Sequence, residues 1–136
     1  MHLIEGLDIS SLLKSCNKFE EFRKHLDTEQ NKAGSIQAFE FCYEAAWKTM
    51  KRFCEKAGKT PYTLKEIFRE AAISGLISDP KKWFRFIEIR NITVHTYNEK
   101  NVELVISIFD DFSDALSDLV KNLEKQCHSR ESGNPA

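Results

Sequence analysis

The chain has 136 residues, 20 of them basic and 21 acidic, for a formal net charge of −1. That length suits one domain with one hydrophobic core, and the near-zero charge supplies no global positive field to draw in nucleic acid. Three prolines and five glycines are too few for an all-β domain, which needs a turn signal every ~8–12 residues, and no apolar run approaches the ~20 residues that span a bilayer.

Ten phenylalanines make the apolar content bulky, which suits helix-on-helix packing. Cys16, Cys42, Cys54 and Cys127 form no CxxC pair and no metal-ligand spacing. With no signal-peptide pattern at the N-terminus, the expectation is a cytoplasmic chain with reduced thiols packed as small core residues, and neither metal nor cofactor.

About five helices are expected, an all-α fold. The first covers about Ser10 to Leu26, with Leu12, Leu13, Cys16, Phe19, Phe22 and Leu26 near one face and Asp8 or Ser10 as N-cap. The second covers about Ser35 to Lys56 along Ile36, Phe39, Tyr43, Trp47, Met50 and Cys54, with Gly58 as its stop. A short third begins after Tyr62, where Thr63 and Glu66 have capping-box spacing, and ends at Gly75. Asp79-Pro80 opens the fourth, with Asp as N-cap and Pro in the first turn.

The fifth shows the clearest rhythm: Val102, Val105, Phe109, Phe112, Leu116, Leu119 and Leu123 at alternating steps of three and four. A second apolar line, Ile106, Ile108 and Val120, fits either a helix central to the bundle or one that also meets a second subunit. The domain is expected over residues 1–125, and residues 126–136, polar with Gly133 and Pro135, read as a disordered tail.

Charge is unevenly placed. Lys48, Lys51, Arg52, Lys56 and Lys59 follow one another, as do Lys81, Lys82, Arg85 and Arg90, while Asp110, Asp111, Asp114 and Asp118 gather late in the chain. These runs fit either a local basic face or ordinary solvated helix surfaces.

Chemistry concentrates between Arg90 and Tyr97. Asn91 and His95 are four apart and share a face if the helix persists. Arg90 and His95 are five apart and converge only if the helix loosens before His95, which the β-branched Thr93, Val94 and Thr96 favour. Arginine offers a fixed donor fork for phosphate oxygens, and histidine titrates near neutrality and moves protons. Together they suit metal-free RNA cleavage, with a base for the 2′-OH and a cation for the developing phosphorane charge. The structural alternative pairs Arg90 with a carboxylate such as Glu88 and makes His95 a helix cap. On the second helix Glu40, Glu44 and Lys48 form a ridge that either supports the helix or faces the motif as a substrate-binding edge.

Arg90-x4-His95-x-Tyr97 resembles the signature of HEPN-domain proteins. Gln37-Ala38-Phe39-Glu40-Phe41, Glu44, Trp47-Lys48, Arg69-Glu70-Ala71, Gly75-Leu76-Ile77, Trp83 and Arg90-Asn91 through Tyr97 are similar to one subgroup, the nucleotidyltransferase substrate-binding proteins. The likeness spans about Ile9 to Leu123. It implies an antiparallel up-and-down bundle that forms a homodimer and partners a minimal nucleotidyltransferase. It also implies a toxin–antitoxin pair in which Arg90 and His95 are catalytic, Asn91 supports them, and AMPylation of Tyr97 silences the ribonuclease. For Tyr97 the structural alternative is a partly buried ring bonded to a neighbouring helix. Three functions follow: this ribonuclease, a non-catalytic subunit that binds a nucleotide or other substrate for the nucleotidyltransferase, or a helical adaptor without chemistry.

Overall fold

A computed structural model describes the backbone of residues 3, 4 and 6–133 and the side chains of residues 6–126. It is an antiparallel helical bundle entered through a short β-ribbon, β1 (Leu3–Ile4) and β2 (Leu7–Asp8), with Leu3 opposite Asp8 and Ile4 opposite Leu7. Helix α1 (Ser10–Phe22) has Ile9 at its cap position, and the oxygen comes from one residue earlier: Asp8 Oδ1 accepts the Ser10 N–H at 2.9 Å. That bonding to Ser10 holds the Asp8 carboxyl below its ordinary pKa.

Helix α2 (Glu29–Lys56) begins well before the expected Ser35, because Thr28 Oγ1 accepts the Asn31 N–H at 3.0 Å and starts a turn with no apolar residue to mark it. Its far end closes on Gly58 at φ +83°, with Lys59 N–H bonding Cys54 O at 2.9 Å and Gly58 N–H bonding Glu55 O at 3.0 Å. Helix α3 (Leu64–Ile73) carries the Thr63/Glu66 capping box, and α4 (Pro80–Ile92) starts on Asp79 with Pro80 first.

The expected fifth helix is two, α5 (Glu99–Ile106) and α6 (Phe109–Gly133), which makes six α-helices among the described residues. Ser107 ends α5, its hydroxyl donating back to Leu104 O at 2.6 Å, an alternative to continuing the helical ladder. The apolar rhythm survives the break, since Val105, Phe109, Phe112, Leu116, Leu119 and Leu123 are all buried. Of the second line, Ile108 is buried in this chain's own core and Ile106 and Val120 partly so. The backbone of α6 continues to Gly133; the side chains of the tail expected over 126–136 lie, after Gln126, outside the described residues.

Phe112 is the hub of the core. Its ring meets those of Phe19 at 5.1 Å, Phe39 at 4.7 Å, Trp83 at 6.0 Å and Phe86 at 5.1 Å, all edge-on, and so joins α6 to α1, α2 and α4. Cys16, Cys42 and Cys54 are free thiols. Cys42 Sγ lies 3.7 Å from Cys16 Sγ, and that contact and burial push the Cys42 thiol far above its ordinary pKa, so it packs as an apolar group. Among the described residues, no helix is long and apolar enough to cross a membrane.

Truncating the hub loses contacts to four rings at once. Phe112→Ala is expected to cost about 3–5 kcal/mol, read as a lower urea midpoint. A control at the exposed Ile73, Ile73→Ala, should shift stability by no more than about 0.5 kcal/mol.

Candidate functional site

The buried residues of α4 are Trp83, Phe86 and Ile89, spaced so that Arg90 emerges at the rim of the buried stripe. On α2, Phe39 is buried and Glu40 follows at the same rim. The two rims meet. Arg90 Nη1 lies 3.1 Å from Glu40 Oε2 and donates to Thr93 Oγ1 at 2.9 Å. The buried Thr93 hydroxyl has one proton and two acceptors in reach, Arg90 O at 2.7 Å and Glu40 Oε2 at 3.2 Å.

Thr93 also explains the local backbone. By bonding the carbonyl three residues back it tightens the chain, and α4 gives way to a 3₁₀ turn over Thr93–His95. Thr96 Oγ1 repeats the device on Thr93 O at 3.1 Å. The helix therefore loosens before His95, as its β-branched residues suggest. Asn101 Nδ2 donates to His95 O at 2.9 Å and ties the turn to α5.

His95 and Tyr97 are exposed, Tyr97 by 87%. Their rings meet edge-on with centroids 6.0 Å apart. The buried-ring alternative for Tyr97 is thereby set aside, and the cap of α5 comes from Asn98, whose side chain accepts the Lys100 N–H at 2.8 Å, and not from His95. Glu88 is not the partner of Arg90 either: it pairs with Arg85 at 3.0 Å. Glu44 and Lys48 pair along their own helix at 2.7 Å, the helix-support arrangement, whereas Glu40 faces the motif. Asn91 sits exposed on the last turn of α4.

Arg90, Thr93 and Glu40 thus form one group, and His95 and Tyr97 another. No hydrogen bond or ion pair among the described residues joins Arg90 to His95. Beside Tyr97 lies a cleft of ≈ 220 Å³ between the start of α2 and α5, lined by Glu29, Lys32, Thr96, Glu99 and Val102. Lys32 Nζ is held there by Glu103 at 3.0 Å. Behind Arg90, the Tyr43 phenol is pushed up in pKa by burial, against the pull of the Arg90 charge, and its hydroxyl has no partner among the described residues. Sequence reasoning named Thr93 for its branched side chain but missed its hydroxyl's part in holding Arg90, and it missed Asn101. A hydroxyl three residues after an arginine at a helix end is the signal that marks the first; the second leaves none.

The fold and this site define a helical bundle that presents an Arg-x4-His-x-Tyr motif where a helix frays into a 3₁₀ turn. Residues 7–125 match the family described as nucleotidyltransferase substrate binding protein like, and the chain belongs to it. It is 39% identical over 99 residues to "Probable ribonuclease HepT" of Haemophilus influenzae, covering 69% of this chain and 68% of that protein. A solved Haemophilus influenzae structure, described as revealing the fold of a substrate binding domain of a nucleotidyltransferase, superposes with a TM-score of 0.77 at 31% identity, covering 86% of this chain and 99% of that one. A crystal structure from Thermus thermophilus superposes with a TM-score of 0.76 at 25% identity, covering 82% and 98%.

Removing the Thr93 hydroxyl isosterically tests the clasp. Thr93→Val should cost about 1–2 kcal/mol, because the Arg90 guanidinium loses an acceptor and the Arg90 carbonyl a donor, while Thr93→Ser should recover most of it. Urea unfolding with an unchanged m-value is the measurement.

Proposed function

We propose that this protein is a metal-independent ribonuclease of a toxin–antitoxin pair, acting as a homodimer and silenced when a minimal nucleotidyltransferase transfers AMP to Tyr97. The observation that carries this reading is the division of the motif. Arg90 is half-buried and oriented by Glu40 and Thr93, while His95 stands free at the surface beside an exposed Tyr97. A cation held in place suits a phosphorane whose charge develops at a fixed point. A free imidazole suits proton transfer to and from a substrate that arrives from solvent.

Asn91, exposed on the turn between them, would support the pair by hydrogen bonding to substrate. Because Arg90 and His95 are not joined within one chain, a second copy supplies the reason for a dimer: two motifs brought together bring more than one cation to the scissile phosphate. AMP on Tyr97 would place a bulky anion against His95, where an RNA phosphate would otherwise lie.

The second reading is a non-catalytic subunit that holds a nucleotide for the nucleotidyltransferase. The cleft beside Tyr97 favours it, with an aromatic wall and Lys32 in reach. Here Arg90, His95 and the Glu40, Glu44 and Lys48 ridge would be ligand contacts.

Expression alone and with the nucleotidyltransferase separates the readings. The ribonuclease reading expects growth arrest from the lone chain and relief on co-expression. Relief should bring AMP-sized additions in intact mass that Tyr97→Phe abolishes. His95→Ala should lower RNA cleavage by ~10²–10⁴-fold, the range of a lost general acid–base group. Normal growth and unmodified mass in both cultures would leave the binding subunit.

A further inference from the structure

On the side of α2 next to the Glu40 ridge, α1 and α2 leave an open groove. One half, ≈ 320 Å³, is walled by Lys14, Lys18, Phe22 and Phe41. The other, ≈ 290 Å³, shares Ser15 and Phe41 with the first and runs on to Lys48 and Arg52. Phe41 is therefore the midpoint of one continuous track, and it is 59% exposed. Leaving so large a ring in water forgoes burial that every neighbouring phenylalanine of the core obtains. Phe22, 44% exposed, lies against Gly34, where a Cβ would come within 2.9 Å of its ring, so the glycine leaves the ring its room.

The charge lining this track is one-sided. Among the described residues that line it, Lys14, Lys18, Lys48 and Arg52 stand against Glu44 alone, which Lys48 already neutralises at 2.7 Å. No ion pair among the described residues claims Lys14, Lys18 or Arg52. Lys14 and Lys18 stand four apart on α1, side by side on one face. Cations along a groove with an exposed ring at its middle are the combination that holds a nucleic-acid single strand, phosphates on the cations and an unstacked base on the ring. A duplex has no free base face to offer Phe41. A second copy is the poorer occupant, because two-fold pairing sets each patch against its own like, and the cations would repel.

We propose that the α1/α2 groove binds single-stranded RNA, with Phe41 stacking on a base and Lys14, Lys18 and Arg52 taking the phosphates, as a track that leads toward Arg90. The choice of RNA over other polyanions rests on the ribonuclease reading. The direction rests on the fold: Glu40, the partner of Arg90, immediately precedes Phe41 and lies one helical turn before Glu44 at the groove's edge.

The test is fluorescence anisotropy of a labelled 12-nucleotide oligouridylate on the full chain carrying His95→Ala, so that the probe stays intact. Adding Phe41→Ala should weaken binding about tenfold, since base–aromatic stacking contributes ~1–3 kcal/mol per base. Adding Lys14→Ala and Lys18→Ala together should flatten the slope of log K against log salt by ~1.4, at ~0.7 per phosphate contact on a single strand. These side chains are exposed, so an unchanged urea midpoint will certify the fold. No binding, or affinity and salt slope indifferent to both changes, overturns the track. So does conversion of a dimer to a monomer by Phe41→Ala, which would assign the groove to a second copy. The two readings fail separately. Groove-dependent binding by a chain that cuts no RNA would keep the track and remove the ribonuclease. Cleavage at full kcat/KM by the Phe41 and lysine variants would keep the ribonuclease and remove the track.

Discussion

Phe112 touches the rings of Phe19, Phe39, Trp83 and Phe86, and through that one side chain three helices are registered against α6. Edge-to-face contacts are directional, so they fix the rotation of each helix as well as its distance. The consequence for the site is geometric. Phe39 of α2 and Phe86 of α4 both point at the same ring. Glu40 lies one residue past Phe39 and Arg90 four past Phe86, rotations of about 100° and 40° on a 3.6-residue turn. Each therefore emerges at the rim of its helix, and the rims face one another 3.1 Å apart. The ion pair is a by-product of how the aromatic core sets its helices.

The pair in turn sets what the motif can do. An arginine at a fraying helix end would ordinarily sample many rotamers, and ordering it has an entropic cost. Here Glu40 fixes the guanidinium from across the bundle and Thr93 fixes it from its own chain, while the same Thr93 hydroxyl tightens the backbone that carries His95 outward. One buried hydroxyl thus links the orientation of the cation to the placement of the imidazole. It also separates them: Arg90 is turned inward to α2 and His95 outward to solvent.

Legibility from the sequence follows how local each signal is. The heptad rhythm from Val102 to Leu123, the Thr63/Glu66 box, Asp79-Pro80 and the glycine stops at 58 and 75 are encoded within a few residues, and the structure realises them. The division at Ser107 is invisible to periodicity because the buried set keeps its phase across it. The early start of α2 is likewise hidden, since its first turn, Glu29-Gln30-Asn31-Lys32, has no apolar residue to count. For the site, residue types and spacing pointed to Arg90, Asn91, His95 and Tyr97 and to loosening at the β-branched threonines. The partner of Arg90 was not local: Glu88 is two residues away in sequence, yet Glu40, fifty residues upstream, holds it. Only packing chooses between them.

The overall charge of −1 conceals a separation that packing creates. Many carboxylates are engaged in holding helices together. Asp110 takes Arg23 at 2.8 Å, Asp118 accepts from the Ser78 N–H and hydroxyl at 2.9 Å each, Glu20 accepts from Ser113 at 2.6 Å, and Glu66 closes the α3 cap. Among the described residues no ion pair holds Lys14, Lys18 or Arg52 along the α1/α2 groove, whereas Lys48 is held by Glu44. The described residues that line the α1/α2 groove carry four cations against one carboxylate, so the charge of that face differs from the overall −1. Composition argues against a nucleic-acid binder because it weighs every charge alike. The folded chain does not, since an ion-paired carboxylate such as Asp110 is offset by its partner, and screening at physiological salt confines each charge to its own ~8 Å neighbourhood.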